Sequence, residues 1–285
     1  MSTIMVQERL LSYQCQTVLE QENALKEIAQ EIALSALART DFFKVAAFQG
    51  GTCLRILYGL ERFSEDLDFV LEQADKKFDW QPYVQEMRAE FKAYGYDLDV
   101  ENRSKAEKII KTVFLKADSV GGMLVIKDLR TNKAKLKIKL EIDTHPPAGS
   151  NYALKYLDFP LPFQVNSQDL PSLFASKCHA LLCREYIKGR DWYDFNWYVT
   201  RQTPINLNLL GNAIAQTGPW QNGRNKITNQ WLLQKLKLKI KEIDWQAAKQ
   251  DVARFLKPRE VSSLNVWSKE FFLDRVEKLA HYLAE

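Results

Sequence analysis

The sequence predicts an α+β protein in two parts: a mixed sheet with flanking helices over residues 1–165, then a C-terminal helical domain over residues 166–285. Three observations lead there. Val45–Phe48, Asp66–Phe69 and Lys133–Asp143 are short apolar or strictly alternating runs, which is the period of β-strands. Gln21–Arg39 and Trp80–Tyr94 instead place apolar residues at helical spacing. From Ser167 onward the period changes to about 3.6 and the composition becomes helical and aromatic, which sets the boundary near residue 165.

In chain order, Gln21–Arg39 puts Leu25, Ile28, Ile32 and Ala36 on one side with glutamates and Gln30 opposite, an amphipathic helix expected to pack behind the first strand. Val45-Ala-Ala-Phe48 reads as that strand. Gly50-Gly51 supplies a turn whose backbone N–H groups can approach a phosphate with no Cβ in the way, and Thr52 opens a short helix, Cys53–Tyr58. In Asp66-Leu67-Asp68-Phe69 the period of two sets both carboxylates on one face and Leu67 and Phe69 on the other. Trp80–Tyr94 is a further helix, and Tyr96–Val100 and Ile109–Leu115 are strands. Asp97 and Asp99 repeat the acidic spacing without a preceding glycine turn, as an edge strand would.

Lys133–Asp143 alternates Lys133, Lys135, Lys137, Lys139, Glu141 and Asp143 with Leu136, Ile138, Leu140 and Ile142, so one face is a basic track ending in two carboxylates. His145-Pro-Pro then breaks the strand. Pro171 suits the first turn of a helix running through Leu181 and Tyr186 to a stop at Gly189, with Lys177, Leu181, Arg184 and Lys188 as one stripe able to meet a triphosphate. Arg190–Phe195 starts the next helix, where Asp191 could be the N-cap and Asp194 its N3 residue. Residues 205–285 read as a helical bundle, with Trp231–Ile243 helical by its Leu232, Leu236, Ile240 spacing.

Composition removes several function classes. The N-terminus lacks a basic start followed by an apolar run and no window approaches eighteen apolar residues, so the expectation is a cytoplasmic protein that neither spans nor enters a membrane. Cys15, Cys53, Cys178 and Cys183 form no CxxC pair and the chain has three histidines, too little material for structural zinc. The net charge of +4 is uneven: residues 103–139 hold eleven Lys/Arg against three acidic residues, a surplus suited to a polyanion such as RNA.

The chemistry concentrates in Gly50-Gly51-Thr52 and Asp66-Leu67-Asp68. Two carboxylates about 7 Å apart on one strand face repel, and at an effective dielectric of about 20 a pair drawn to 4 Å costs on the order of 4 kcal/mol. A converging acidic cluster therefore implies a cation. All-oxygen ligands suit Mg²⁺ or Mn²⁺, and such ions can clamp the oxygens of a phosphoryl displacement.

Gly51-Thr52 followed after thirteen residues by Asp66-Leu67-Asp68 resembles the signature of polymerase-β-like nucleotidyltransferases. The longer wording, Phe48-Gln-Gly-Gly-Thr-Cys-Leu-Arg55 and Arg62-Phe-Ser-Glu-Asp-Leu-Asp-Phe69, is similar to the AbiEii/AbiGii nucleotidyltransferase toxins of abortive-infection and toxin–antitoxin systems, with Gln49 where that family leads one to expect lysine. The resemblance implies a polymerase-β-like core and a third carboxylate on a neighbouring strand, Glu141 first and Asp143 second. It further implies that Lys177 contacts the nucleotide and that the Arg-Asp-x-x-Asp segment completes the site through Asp191, with Asp194 as the alternative match.

The function expected is transfer of a nucleoside monophosphate from an NTP to an acceptor, with release of pyrophosphate. Asp66, Asp68 and Glu141 would hold the metal, and Gly50, Gly51 and Thr52 would cradle the β/γ phosphates. Glu141 or Asp143 would serve as general base, and Arg62, Ser64, Lys177 and Arg184 would meet the nucleotide's negative charge. The helical domain would complete a cleft in which Lys177 and Asp191 face Asp66 and Asp68. The resemblance implies tRNA or another RNA as acceptor and a cognate antitoxin as partner. A non-catalytic nucleotide- or RNA-binding module and a metal-dependent nuclease are the alternatives.

Overall fold

The computed structural model describes residues 2–102, 119–128, 135–221 and 227–284. The strand expected at Ile109–Leu115, Lys133 and most of the basic segment 103–139 lie outside them. The chain divides into two compact units: Met1–Gly59, Phe63–Pro146 and Tyr152–Ser167 make the first, and Leu60–Arg62, Pro147–Asn151 and Gln168–Glu285 the second.

The first unit is built on a seven-stranded sheet of β1 (Ala46–Gln49), β2 (Leu67–Leu71), β3 (Tyr96–Asn102), β4 (Ser119–Asp128), β5 (Lys135–Asp143), β6 (Tyr152–Leu157) and β7 (Phe163–Gln168), in the order β3-β4-β5-β2-β1-β7-β6. The sheet is mixed: β2 runs antiparallel to β1 and parallel to β5, while β1 is parallel to β7. β3 stands at one edge, as its short acidic alternation suggested. The helices with it are α1 (Ser2–Ser12), α2 (Val18–Ala38), α3 (Phe42–Val45), α4 (Gly50–Tyr58) and α5 (Gln81–Ala93).

Alternation decides the core. Leu67, Phe69 and Leu71 of β2 are buried, and Phe69 meets Phe48 at 5.4 Å and Phe42 at 4.9 Å between ring centroids. Trp80 stacks on Phe42 at 5.4 Å, so one aromatic cluster fixes that face of the sheet and leaves the other to the polar residues.

α2 departs from the amphipathic helix expected. Thr17 and Glu20 form a capping box, and Glu20, Glu27 and Glu31 are buried instead of facing water. Arg9 makes a two-pronged bond to Glu31, Arg55 Nε donates to Glu27 at 2.8 Å, and Glu20 accepts the backbone N–H groups of Gln16 and Thr17. Gln30 is buried as well, and its amide donates to the Ser64 carbonyl at 3.2 Å.

The second unit is helical, with α6 (Leu170–Cys183), α7 (Gly189–Thr200), α8 (Leu207–Gln216), α9 (Asn229–Glu242), α10 (Trp245–Ala253), α11 (Pro258–Val261) and α12 (Lys269–Tyr282) among its described residues. Its core stacks Trp245 on Phe272 at 4.2 Å and Phe174 on Tyr198 at 4.4 Å. α9 buries Leu232, Leu236 and Ile240, the helical spacing read from the sequence.

One boundary is corrected. The helix expected to run from Pro171 to a stop at Gly189 ends at Cys183, where Arg184 turns extended, and Gly189 begins α7 instead. Glycine is required there by contact, because a Cβ would stand 1.8 Å from the Ala248 carbonyl oxygen. Lys188 is therefore the N-cap of α7 and not the last member of a helical stripe. No helix among the described residues is long and apolar enough to cross a membrane.

Candidate active site

In the first unit the site starts where β1 passes into α4. The helix begins at Gly50, three residues earlier than the expected Cys53, so Gly50, Gly51 and Thr52 form its first turn. The N–H groups of a first turn have no partner within the helix and carry its positive dipole end, the ordinary basis of phosphate binding. Gly50 has φ +80°, and a Cβ there would stand 2.7 Å from Asp68 Oδ2. Backbone and carboxylate thus meet at a position that only glycine fits.

A consequence is measurable. Gly50→Ala is expected to cost about 1–3 kcal/mol of backbone strain and to displace the Asp68 carboxylate, lowering the melting temperature by several degrees and transfer by at least about tenfold. Wild-type melting and turnover in that variant would show the contact to be dispensable.

Strand register supplies the neighbours of Asp68. Gln49 of β1 lies opposite it on one side and Glu141 of β5 on the other, so the three side chains form a row on one face of the sheet. Asp66 sits two residues earlier, its carbonyl accepting the Thr52 hydroxyl. Asp66, Asp68 and Glu141 are each partly exposed. Asp143 instead lies opposite Val70, is 6% exposed, and accepts the His145 N–H at 3.1 Å, a turn bond that ends the strand. Glu141 is ion-paired with Lys139, the neighbouring member of the basic track on β5. Gln49 donates to the Phe69 carbonyl at 2.9 Å, which makes it a neutral brace.

No three His, Cys, Asp or Glu side chains among the described residues gather closely enough to enclose an ion. The donor set still fits a hard divalent cation of the Mg²⁺ type. Such an ion takes one or two carboxylates and completes its shell with water and substrate phosphate, and Asp66 and Asp68 stand beside a helix N-terminus suited to phosphate.

The second unit carries a chain of buried charges. Asp194 accepts Arg62 Nε at 2.6 Å and Arg62 Nη2 at 2.7 Å, a two-pronged pair that is almost wholly buried. Lys177 Nζ reaches Asp194 at 2.8 Å and Asp191 at 2.7 Å, and Arg184 closes the chain on the other oxygen of Asp191. Both aspartates that the sequence left open therefore hold the same lysine. Asp191 is the N3 residue of α7 and not its N-cap, while Asp194 comes a turn later. Arg62, expected to meet the nucleotide, has its guanidinium fork on Asp194.

The electrostatics follow from these distances. Burial alone would raise both carboxyls, yet Arg62 and Lys177 hold Asp194, and Lys177, Arg184 and Lys188 hold Asp191, below the usual carboxylate range. Burial would likewise lower Lys177, but Asp191 and Asp194 outweigh it and the ammonium is held above its ordinary value. His179 bonds the Thr217 carbonyl at 3.1 Å. The Arg62–Asp194 pair spans 132 residues and had no local signal in the sequence.

A family model described as Nucleotidyl transferase AbiEii toxin, Type IV TA system, matches residues 32–275. Among solved structures the chain is similar to MenT4, a nucleotidyltransferase toxin from Mycobacterium tuberculosis H37Rv, at 16% identity and TM-score 0.52, covering 98% of this chain and 99% of that one. It is also similar to JHP933 from Helicobacter pylori, at 18% identity and TM-score 0.50, covering 92% and 96% respectively. At these identities the likeness is one of fold. A search of curated proteins finds no match.

Proposed function

The chain belongs to the AbiEii nucleotidyl transferase toxin family, and from that premise we propose that this nucleotidyltransferase moves a nucleoside monophosphate from an NTP onto RNA, in the first instance a tRNA 3′ end, using Mg²⁺ or Mn²⁺. The observation that carries the reading is the row Asp68–Glu141 across β2 and β5, with Gly50 pressed against Asp68 at the start of α4. Asp66 and Asp68 would hold the metal. A bound ion would supply charge neutralisation on the transferring phosphate.

The other steps belong to the chain's own residues. The first-turn N–H groups at Gly50, Gly51 and Thr52 bind β/γ phosphate oxygens. Glu141 accepts the proton of the acceptor hydroxyl, and its ion pair with Lys139 orients the carboxylate. Lys177 and Arg184 supply positive charge as pyrophosphate departs. The basic segment 103–139 supports a polyanionic acceptor. A cytoplasmic toxin held in check by a cognate antitoxin is the setting we assign to it.

Incubation with labelled NTPs, Mg²⁺ and total RNA tests the reading. Label in RNA is the expected outcome. Nucleotide binding without incorporation would point to a silent binding module, and RNA fragments to a nuclease. RNA affinity should also fall with salt at a slope of about −0.7 per neutralised phosphate, and an affinity indifferent to salt would remove RNA as the acceptor.

A further inference from the structure

The two edges of the seven-stranded sheet are guarded unequally. β3, at one edge, carries Asp97 and Asp99 on alternate positions, and the Asp99 side chain is 70% exposed beside Arg88. Charges so placed keep a further strand from adding. β6, at the other edge, has a single charged residue, and that Lys155 ammonium lies over the Tyr58 ring at 4.8 Å. Leu154 and Tyr156 are exposed instead, at 62% and 76%. Leu154 also lines a cavity with Phe43 and the half-exposed Leu161, so the apolar surface continues past the strand. No strand among the described residues lies beyond β6. An open edge that bears apolar side chains is a template for another strand.

The sequence of β6 indicates which strand. Tyr152, Leu154 and Tyr156 share one face, and their order, Tyr-x-Leu-x-Tyr, is the same in both directions. A twofold interface sets residue i against j and j against i, so a palindromic face suits pairing with itself. Directly opposed side chains of an antiparallel pair share a face, so a twofold pairing is centred on a residue. Centred on Leu154, it sets Leu154 against Leu154, Tyr152 against Tyr156 on both sides, and Lys155 against Ala153. Centred on Lys155, it would oppose two ammonium groups. Charge and apolar pattern therefore select the same register.

We propose that β6 pairs antiparallel with β6 of a second copy of this chain, centred on Leu154, so that two sheets join edge to edge in a twofold dimer. Tyr152, Leu154 and Tyr156 of both copies then form one apolar row. A contact one strand deep is small beside a stable interface, so the dimer dissociates in the range of about 1–100 µM. Two strands, β1 and β7, separate β6 from the carboxylate row on β2 and β5, and the pairing is independent of which substrate that row serves.

Sedimentation velocity of the full chain from about 1 to 300 µM tests the association. Wild type is expected to pass from monomer to dimer across that range. Leu154→Lys sets two ammonium groups face to face at the twofold and should associate at least about tenfold more weakly. Its melting temperature should not change, because Leu154 is exposed in the single chain. Cross-linking tests the register. Leu154→Cys brings its two thiols together where opposed Cα atoms stand about 4.5–5.5 Å apart, within reach of a disulfide. Asp158→Cys leaves the apolar row intact and sets its thiols about 26 Å apart along the strands. With oxidised glutathione, Leu154→Cys is expected to become a covalent dimer, and Asp158→Cys to stay at the level of wild type, whose four free cysteines set the background. A wild type that is monomeric to 300 µM would overturn the proposal and leave the edge to a strand of another protein. Association undiminished in Leu154→Lys would overturn it by placing the contact elsewhere, and equal cross-linking at the two positions would overturn the register.

Discussion

Replacing Asp68 with alanine is expected to lower nucleotide transfer by about three orders of magnitude or more while the protein stays folded. Asp68 occupies the centre of the row, with Gln49 on one side, Glu141 on the other and the first turn of α4 against its carboxylate. Alanine removes a charge from a partly exposed position, so the core of β2, made by Leu67, Phe69 and Leu71, is untouched and the melting temperature should change little. Asp66→Ala should act in the same direction. Glu141→Gln keeps shape and removes the proton acceptor, so its loss should fall mainly on kcat. Asp143→Ala should instead reduce stability, because it removes the oxygen that accepts the His145 N–H in the turn after β5. Rate measurements on the four variants, with circular dichroism for folding, separate these roles. Transfer at wild-type rate in Asp68→Ala would remove the assignment of the site.

What the sequence disclosed and what it withheld divide along locality. The faces of β2 and β5 could be read from alternation within each strand, and the glycine turn, the short helix after it and the acidic pair lie within about twenty residues. Which residue of β5 stands beside Asp68 could not be read, because register between strands some seventy positions apart depends on tertiary packing; the choice between Glu141 and Asp143 stayed open for that reason. The end of α6 was missed for a related cause. Gly189 has the composition of a helix stop, but its lack of a side chain answers to the Ala248 backbone. The buried glutamates of α2 were read as a solvent face because their partners, Arg9 and Arg55, lie on other helices. Arg62 looked like a phosphate ligand for the same reason, its partner being 132 residues away.

That distant partner sets the second large expectation. Asp194→Ala should destabilise the helical unit by about 3–5 kcal/mol, because it leaves Arg62 buried with its fork empty and takes one of two carboxylates from Lys177. A loss of that size corresponds to a fall of roughly 10 °C or more in melting temperature. The penalty is one of stranded charge, so replacing Arg62 by methionine and Asp194 by leucine together should recover a large part of it. The pH dependence carries the same sign. Asp191 and Asp194 titrate lower in the folded chain than in the unfolded one, so their stabilisation is complete above the unfolded aspartate value near 4 and is lost as pH falls below it. Melting temperature should therefore drop steeply from about pH 4 downward in the wild type and less steeply in Asp194→Asn. Equal slopes would mean that the pair gains nothing from its charge. The Lys177 ammonium is held by both aspartates, so a cluster weakened at Asp194 also loosens the support of Arg184 through Asp191. Loss of stability and loss of NTP affinity should then appear together in Asp194→Asn, while Asp68→Ala loses transfer with its melting temperature little changed.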